Sequence, residues 1–215
     1  MIVLALNTAG PACEIALVDP DGVRAEIHVP MARGQDAELP RLVQETLEQT
    51  GLTLDQVDRF AVITGPGSFT GIRVGVSFAR GLALATAKPC LGVTTLEATL
   101  PAGQQGSAIV ALPAQKRPPD ITFWTQTFRT GVATGAAQER SVEALQALLS
   151  ERPHMVFGDV EALQAHLADF PIHAAVPTAI RAAQVAMRLD PDLRSASPTY
   201  ARAPDAALPK SKSQK

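Results

Sequence analysis

The sequence contains little of what a disulfide-stabilised, metal-binding or membrane-spanning protein requires. Its 215 residues include two cysteines, four histidines and 4% aromatic residues. Cys13 and Cys90 are far apart and lie in apolar surroundings, so the sequence predicts reduced, buried thiols and not a disulfide framework. No apolar run approaches the roughly 20 residues that a membrane span needs. These absences favour a folded soluble protein without cross-links.

The sequence also has no large excess of positive or negative charge. The formal net charge is -2 and the isoelectric point is near 6.1. Because nucleic-acid-binding domains usually carry a basic face, we expect any contact with RNA to be made through another subunit. The first residues carry no basic leader followed by a long apolar stretch, which predicts a cytoplasmic protein.

The apolar patterning of the first hundred residues predicts a mixed α/β lobe. Three short apolar runs joined by turns are typical of an antiparallel meander, and a helix with one apolar stripe follows them. Three strands, a helix, a strand, a helix and a strand match a ribonuclease-H-like or actin-like lobe, whereas a Rossmann unit alternates strand and helix from the start. The predicted strands cover 2–6, 12–18, 23–29, 60–63 and 89–93. The first predicted helix has its apolar stripe over 39–47 and stops at Gly51, and the second covers 71–87.

The second half predicts a smaller lobe. A segment rich in glycine and polar residues over 101–107 is typical of a linker. We therefore predict a first lobe over residues 1–100, and a second lobe over 101–215 with a C-terminal helix and a frayed, basic tail. The predicted strands of this half cover 108–112, 121–128 and 155–157, and the predicted helices cover 142–149, 160–167 and 177–189.

A glycine-rich segment between a buried strand and a helix is the most distinctive motif. It reads Gly65-Pro66-Gly67-Ser68-Phe69-Thr70-Gly71-Ile72-Arg73-Val74-Gly75. Backbone N–H groups at the start of a helix can bind an anion, whereas Ser68 and Thr70 can instead cap the helix. It is not a Walker A loop, because that motif needs Lys and Ser or Thr after its last glycine. The residues alone leave both roles open; the candidates for an anion or nucleotide loop are Thr8, Gly65, Gly67, Ser68 and Thr70.

Residues suited to catalysis or metal binding are not grouped in the sequence. No two of the four histidines are spaced three or four apart on a predicted helix, as a zincin-like site requires. Asn7 ends the first strand, and its neutral amide is a weaker ligand for a hard cation than a carboxylate. We predict no catalytic residue, no metal ligand and no cofactor.

The helix after the glycine-rich segment has an unusually wide apolar face. Small residues recur every four positions along it, and other apolar residues flank this ridge. Such a helix is either buried within its own domain or shared between its own sheet and a second protein. For the second alternative, the predicted partner-binding residues are Gly71, Arg73, Gly75, Val76, Ala79, Arg80 and Ala83.

The glycine-rich segment, together with Ala5–Ala9 and Arg33–Pro40, resembles the signature of the TsaB (YeaZ) family. The resemblance implies a two-lobed, actin-like fold and a noncatalytic dimerisation and scaffold subunit. Such a subunit supports a TsaD-like catalytic subunit, with a TsaE-like ATPase, in threonylcarbamoylation of the tRNA adenosine next to the anticodon. The resemblance also favours the partner-facing interpretation of the helix. Because such a helix would face water without its partner, we predict a symmetric homodimer when the chain is alone. Many family members have Asp where this chain has Asn7.

Two enzymatic functions remain as alternatives at this stage. An actin-like nucleotide phosphotransferase or hydrolase would use the loop from Gly65 to Gly71. A peptidase is suggested by the older naming of the wider family as M22 glycoproteases.

Overall fold

A computed structural model describes residues 1–115, 120–152 and 154–199. These residues form two mixed β-sheets with helices against them. The strands are β1 (Val3–Asn7), β2 (Ala12–Asp19), β3 (Gly22–Pro30), β4 (Arg59–Ile63), β5 (Cys90–Val93), β6 (Ser107–Gln115), β7 (Thr122–Arg129), β8 (Val132–Ala133), β9 (Gln138–Ser141), β10 (Met155–Gly158) and β11 (Ile172–Ala174). The helices are α1 (Gln35–Thr50), α2 (Phe69–Thr86), α3 (Thr95–Thr99), α4 (Val142–Glu151), α5 (Val160–Gln164) and α6 (Ala179–Ala186).

The first sheet has the order β3-β2-β1-β4-β5, with β1 antiparallel to β2 and parallel to β4. The predicted meander and the elements after it are confirmed. Asp19 closes the β2–β3 turn, since its Oδ1 accepts hydrogen bonds from the backbone nitrogens of Asp21 and Gly22. The alternation of Val23, Ala25, Ile27 and Val29 in the sequence predicts that they share one face of β3, but Val23 is 47% exposed whereas Ala25 is buried. The register between β2 and β3 shifts next to Val23, and such a bulge reverses the faces of a strand.

The second sheet repeats the plan of the first. Its order is β11-β10-β6-β7-β8, with β9 also paired to β7. The central strand β6 is antiparallel to the next strand β7 and parallel to β10, as β1 is to β2 and β4. A helix leads to β10 and another to the parallel edge strand β11. The described chain is therefore a duplicated α/β architecture.

Each sheet is partly covered by a helix from the other half of the chain: α3 packs on the second sheet and α6 on the first. Leu96 and Leu100, on and just after α3, belong to a buried cluster with residues of β6, β7 and β10. Ala182 and Ala186 of α6 instead belong to the core of the first sheet. The prediction that placed the C-terminal helix in the second lobe is therefore wrong about its packing, because its alanine face covers β1, β2 and β4. The division at residue 100 otherwise stays a prediction, and the tail from residue 200 lies outside the described residues.

Charged groups hold the exchanged segments in place. Glu97 is buried, accepts a hydrogen bond from the backbone of Thr94 in a capping box, and pairs with Arg194 at 2.7 Å. The hydrogen bond to Glu97 raises the pKa of Arg194. Arg181 of α6 donates from Nε to the carbonyl oxygen of Leu100 at 2.6 Å. Burial lowers the pKa of Arg181, with a smaller contribution from the charge of Arg188.

Candidate functional site

Asn7, the polar residue at the end of β1, is buried and makes hydrogen bonds within the chain. Asn7 is 3% exposed, and its Nδ2 donates to Glu14 Oε2 at 2.9 Å while its Oδ1 accepts from the backbone nitrogen of Ala9 at 3.1 Å. The buried Glu14 carboxylate also accepts from the backbone nitrogen of Ala179 at 3.0 Å, and it lies 3.0 Å from Nδ1 of His28. Asn7 and Glu14 therefore join the first hairpin to the start of α6.

Thr8 is also a structural residue. It is fully buried, and its hydroxyl donates to the carbonyl oxygen of Gly71 at 2.7 Å. A Cβ at Gly71 would lie 2.0 Å from the Thr8 carbonyl oxygen, and one at Gly75 would lie 2.3 Å from its Oγ1. These two glycines are required because α2 crosses the end of β1 at backbone contact distance. The prediction that Thr8 is available to a bound anion is wrong, because its hydroxyl is enclosed and already bonded.

The glycine-rich segment forms a tight turn and a helix cap. Gly65 has a φ of 112°, is buried, and accepts a hydrogen bond from the backbone nitrogen of Thr95 at 2.9 Å. A Cβ at Gly67 would lie 2.4 Å from the carbonyl oxygen of Ala9. The backbone nitrogen of Ser68 donates to that same oxygen at 2.8 Å, and its side chain caps α2. The helix-capping alternative is therefore observed for Ser68. Gly67, Ser68 and Thr70 are exposed, and an anion-binding role for them stays a prediction.

A segment that sequence reasoning missed runs beside this turn. The backbone nitrogen of Thr199 donates to the carbonyl oxygen of Thr64 at 2.8 Å, and Ser195 pairs with Leu91 on the edge of the first sheet. A Cβ at Gly92 would lie 2.6 Å from the Ser195 carbonyl oxygen. Gly92 was the one local signal for this contact, because a glycine inside a strand often marks a close backbone approach.

The small-residue ridge of α2 faces the protein's own first sheet. Gly71, Gly75, Val76, Ala79 and Ala83 are all buried, with Ala79 fully inaccessible. They pack into the same core as β1 and β4. The prediction that these five residues contact a partner is therefore wrong. The wide apolar face of α2 suggested a second protein, but the first sheet and α1 cover most of that face.

The opposite face of α2 carries the two remaining predicted partner residues. Arg73 and Arg80 are exposed, and the guanidinium carbon of Arg73 lies 3.7 Å from the centre of the Phe69 ring, a cation–π contact. Phe69 is 56% exposed. A mainly apolar groove of about 490 Å³ separates this face from α1; it is lined by Asp36, Leu39, Arg73, Val74, Ser77 and Phe78.

The cysteines have environments that suppress thiolate chemistry. Burial, with a smaller effect of the Glu14 charge, raises the pKa of Cys13 to about 11. Burial raises the pKa of Cys90 to about 12. Because the thiolate is the nucleophile, neither cysteine is suited to attack a substrate at neutral pH. Over residues 1–115, 120–152 and 154–199, no group of three or more His, Cys, Asp or Glu side chains is arranged to hold a metal ion.

Comparison with known proteins agrees with this architecture. Residues 29–116 match the model of the TsaD family, described as tRNA N6-adenosine threonylcarbamoyltransferase. The chain is 40% identical over 96 residues to the tRNA threonylcarbamoyladenosine biosynthesis protein TsaB of Escherichia coli, which covers 45% of this chain and 41% of that protein. The chain thus spans about two fifths of the length of that curated relative.

Two solved structures from Pseudomonas aeruginosa resemble nearly the whole fold. One, described as an uncharacterized protein similar to peptidase YeaZ, has a TM-score of 0.73 at 23% identity, covering 94% of this chain and 99% of that one. The other, YeaZ, has a TM-score of 0.69 at 24% identity, covering 93% and 99%.

The duplicated sheets and these structural neighbours define the class: a two-lobed, actin-like α/β fold, as predicted. Within that class, the resemblance to TsaB (YeaZ) found in the sequence is confirmed. No helix among the described residues is long and apolar enough to cross a membrane.

Proposed function

We propose that this chain is a noncatalytic subunit in the biosynthesis of threonylcarbamoyladenosine on tRNA. It binds and supports a TsaD-like catalytic subunit, acts with a TsaE-like ATPase, and meets tRNA only through those partners. Alone, it forms a homodimer. The similarity to TsaB proteins motivates the reaction, and the outward face of α2 is the single observation that motivates the binding role.

The noncatalytic role is supported by how the polar groups at the end of β1 are used. Asn7 ends β1, and Thr8 follows it directly. Both are buried and bonded inside the chain, Asn7 to Glu14 and Thr8 to Gly71. A group that holds two elements together at hydrogen-bond distance cannot reorganise toward a ligand without loosening them.

The binding role is supported by the side chains that α2 presents outward. Val74 and Phe78 are half-buried and form the apolar part of the groove toward α1, with Asp36 and Arg73 at its sides. An apolar centre with charged residues around it is typical of a protein interface. This surface, and not the buried ridge, is the part of α2 available to a partner or to a second copy of the chain.

A pair of matched variants tests the binding role. Phe78→Glu puts a charge in the apolar groove and should weaken binding to the TsaD-like protein of the same genome at least tenfold, equivalent to about 1.4 kcal/mol. Val23→Glu makes the same type of change at an exposed apolar residue on β3 and should bind like the unaltered chain. Binding is measured by isothermal titration calorimetry, after both variants are shown to melt cooperatively. Equal affinities for the two variants would remove this face from the interface.

A further inference from the structure

A second groove lies along the other flank of α2. It has a volume of about 690 Å³ and is bounded by the C-terminal half of α2 on one side and by residues 191–196 on the other. Such a volume lies in the range of ligand-binding clefts. Three cationic side chains line it, Arg80, Lys88 and Arg194, and none of its described lining residues is acidic.

Within the described part of the chain, two of these three side chains take part in no ion pair. Arg194 pairs with the buried Glu97, but no ion pair involves Arg80 or Lys88 among the described residues. Arg80 and Cys90 both line the groove. A ligand in the groove would therefore meet a positive potential with little opposing charge.

One exposed leucine lines the groove, and a second adjoins a lining residue in sequence. Leu84 lines the α2 wall and is 85% exposed. Leu193 does not line the groove itself, but it precedes the lining residue Arg194 in the chain and is 79% exposed. They are the most exposed large hydrophobic residues in the described chain. Exposed apolar side chains beside unpaired charges mark a binding surface more strongly than single scattered leucines do.

We propose that this groove binds an acidic segment with apolar side chains, supplied by a partner protein of the assembly put forward above; the inference rests on that proposed function. Carboxylates of the segment pair with Arg80 and Lys88, and its apolar residues cover Leu84 and Leu193. A nucleic-acid backbone would satisfy the cations but leave both leucines in water, so the combination favours a polypeptide.

Overlapping short peptides spanning the TsaD-like and TsaE-like proteins of the same genome test this inference. Their binding to the full chain is measured by fluorescence anisotropy. We expect the peptides that bind to be acidic and to contain leucine, isoleucine or phenylalanine. Arg80→Glu/Lys88→Glu should weaken them at least tenfold, and Leu84→Ser should weaken them by a smaller factor. The control is Arg129→Glu/Arg152→Glu, which makes the same change of charge at exposed arginines of the second lobe.

The outcomes that overturn the inference are distinct from those that overturn the proposed function. The groove is not a docking site if no peptide binds, if the peptides that bind are not acidic, if both charge-reversed variants bind equally, or if only tRNA or nucleotide binds. If the intact TsaD-like protein still binds the unaltered chain and loses affinity for Phe78→Glu, the proposed function stands while this inference fails. Loss of all partner binding to the unaltered chain would remove the proposed function itself.

Discussion

The two lobes share one strand plan but differ in how much helix covers it. In the first lobe, α1 and α2 have 16 and 18 residues and pack over a continuous core. Their counterparts α4 and α5 have 10 and 5 residues, and the second sheet is divided between two small clusters. The first sheet therefore has the larger continuous core, and the second sheet takes part of its packing from Leu96 and Leu100, which precede it in the chain.

The largest expected effect comes from Ala79→Glu in the first lobe. The Ala79 side chain is fully buried against the sheet, so the new carboxylate would be buried without a partner and should cost about 3–5 kcal/mol of stability. Chemical denaturation monitored by circular dichroism measures the change. The adjacent Arg80→Glu, on the exposed face, should stay within about 0.5 kcal/mol of the unaltered chain. A folded Ala79→Glu of normal stability would show that the ridge is not internal core.

In the second lobe, Leu145→Ala should cost about 3 kcal/mol, because it leaves a cavity in the smaller cluster. If the exchanged helices couple the lobes, both should still unfold in one transition. Trp124, the only tryptophan, lies on β7 and reports on the second lobe by fluorescence, while circular dichroism reports on the whole chain. Separate midpoints for the two signals would mean that the lobes unfold independently.

The link between the lobes is tested by Arg194→Met. Without Arg194 the buried Glu97 keeps only its capping hydrogen bonds, and we expect a loss of about 3 kcal/mol. Adding Glu97→Gln should restore part of this stability, since a neutral amide can accept the Thr94 hydrogen bond without leaving a buried charge. Thermal melts of the single and double variants measure the coupling. A double variant no more stable than Arg194→Met alone would argue against a charge effect.

The smallest expected change in stability concerns the β2–β3 turn, which the Asp19 carboxylate holds through hydrogen bonds. The β7–β8 turn of the second lobe instead has Thr130 and Gly131 at positive φ. The hydrogen bond from Arg24, aided by backbone donors, lowers the pKa of Asp19. A lowered pKa means that the stabilisation is present above the unfolded-state value of about 4 and is lost as the pH falls through the folded-state pKa. Asp19→Asn should therefore melt below the unaltered chain at neutral pH, with a gap that closes in acid. A difference in melting temperature that does not change with pH would show that the Asp19 charge is not the source of the stabilisation.

Local patterning predicted the first lobe well because its elements are long and strongly periodic. The stop of α1 at Gly51, which has a φ of 67°, follows from glycine's tolerance of left-handed conformations. The short, polar β9 and the three-residue β11 carry too weak a periodic signal. At the site, sequence identified the turn and the cap at Ser68, but the Thr8–Gly71 hydrogen bond joins residues 63 positions apart. No local pattern predicts such a contact, and for the same reason the ridge could not be assigned to the sheet.

Reconstituted tRNA threonylcarbamoylation tests the central claim most directly. The purified chain is combined with the TsaD-like and TsaE-like proteins of the same genome, unmodified tRNA, and the threonylcarbamoyl donor, and modified adenosine is measured by mass spectrometry. We predict no product from this chain alone, product from the full mixture, and little product when the chain is omitted or carries Phe78→Glu. Product formed by this chain alone, or an undiminished yield without it, would contradict its role as a noncatalytic, partner-binding subunit.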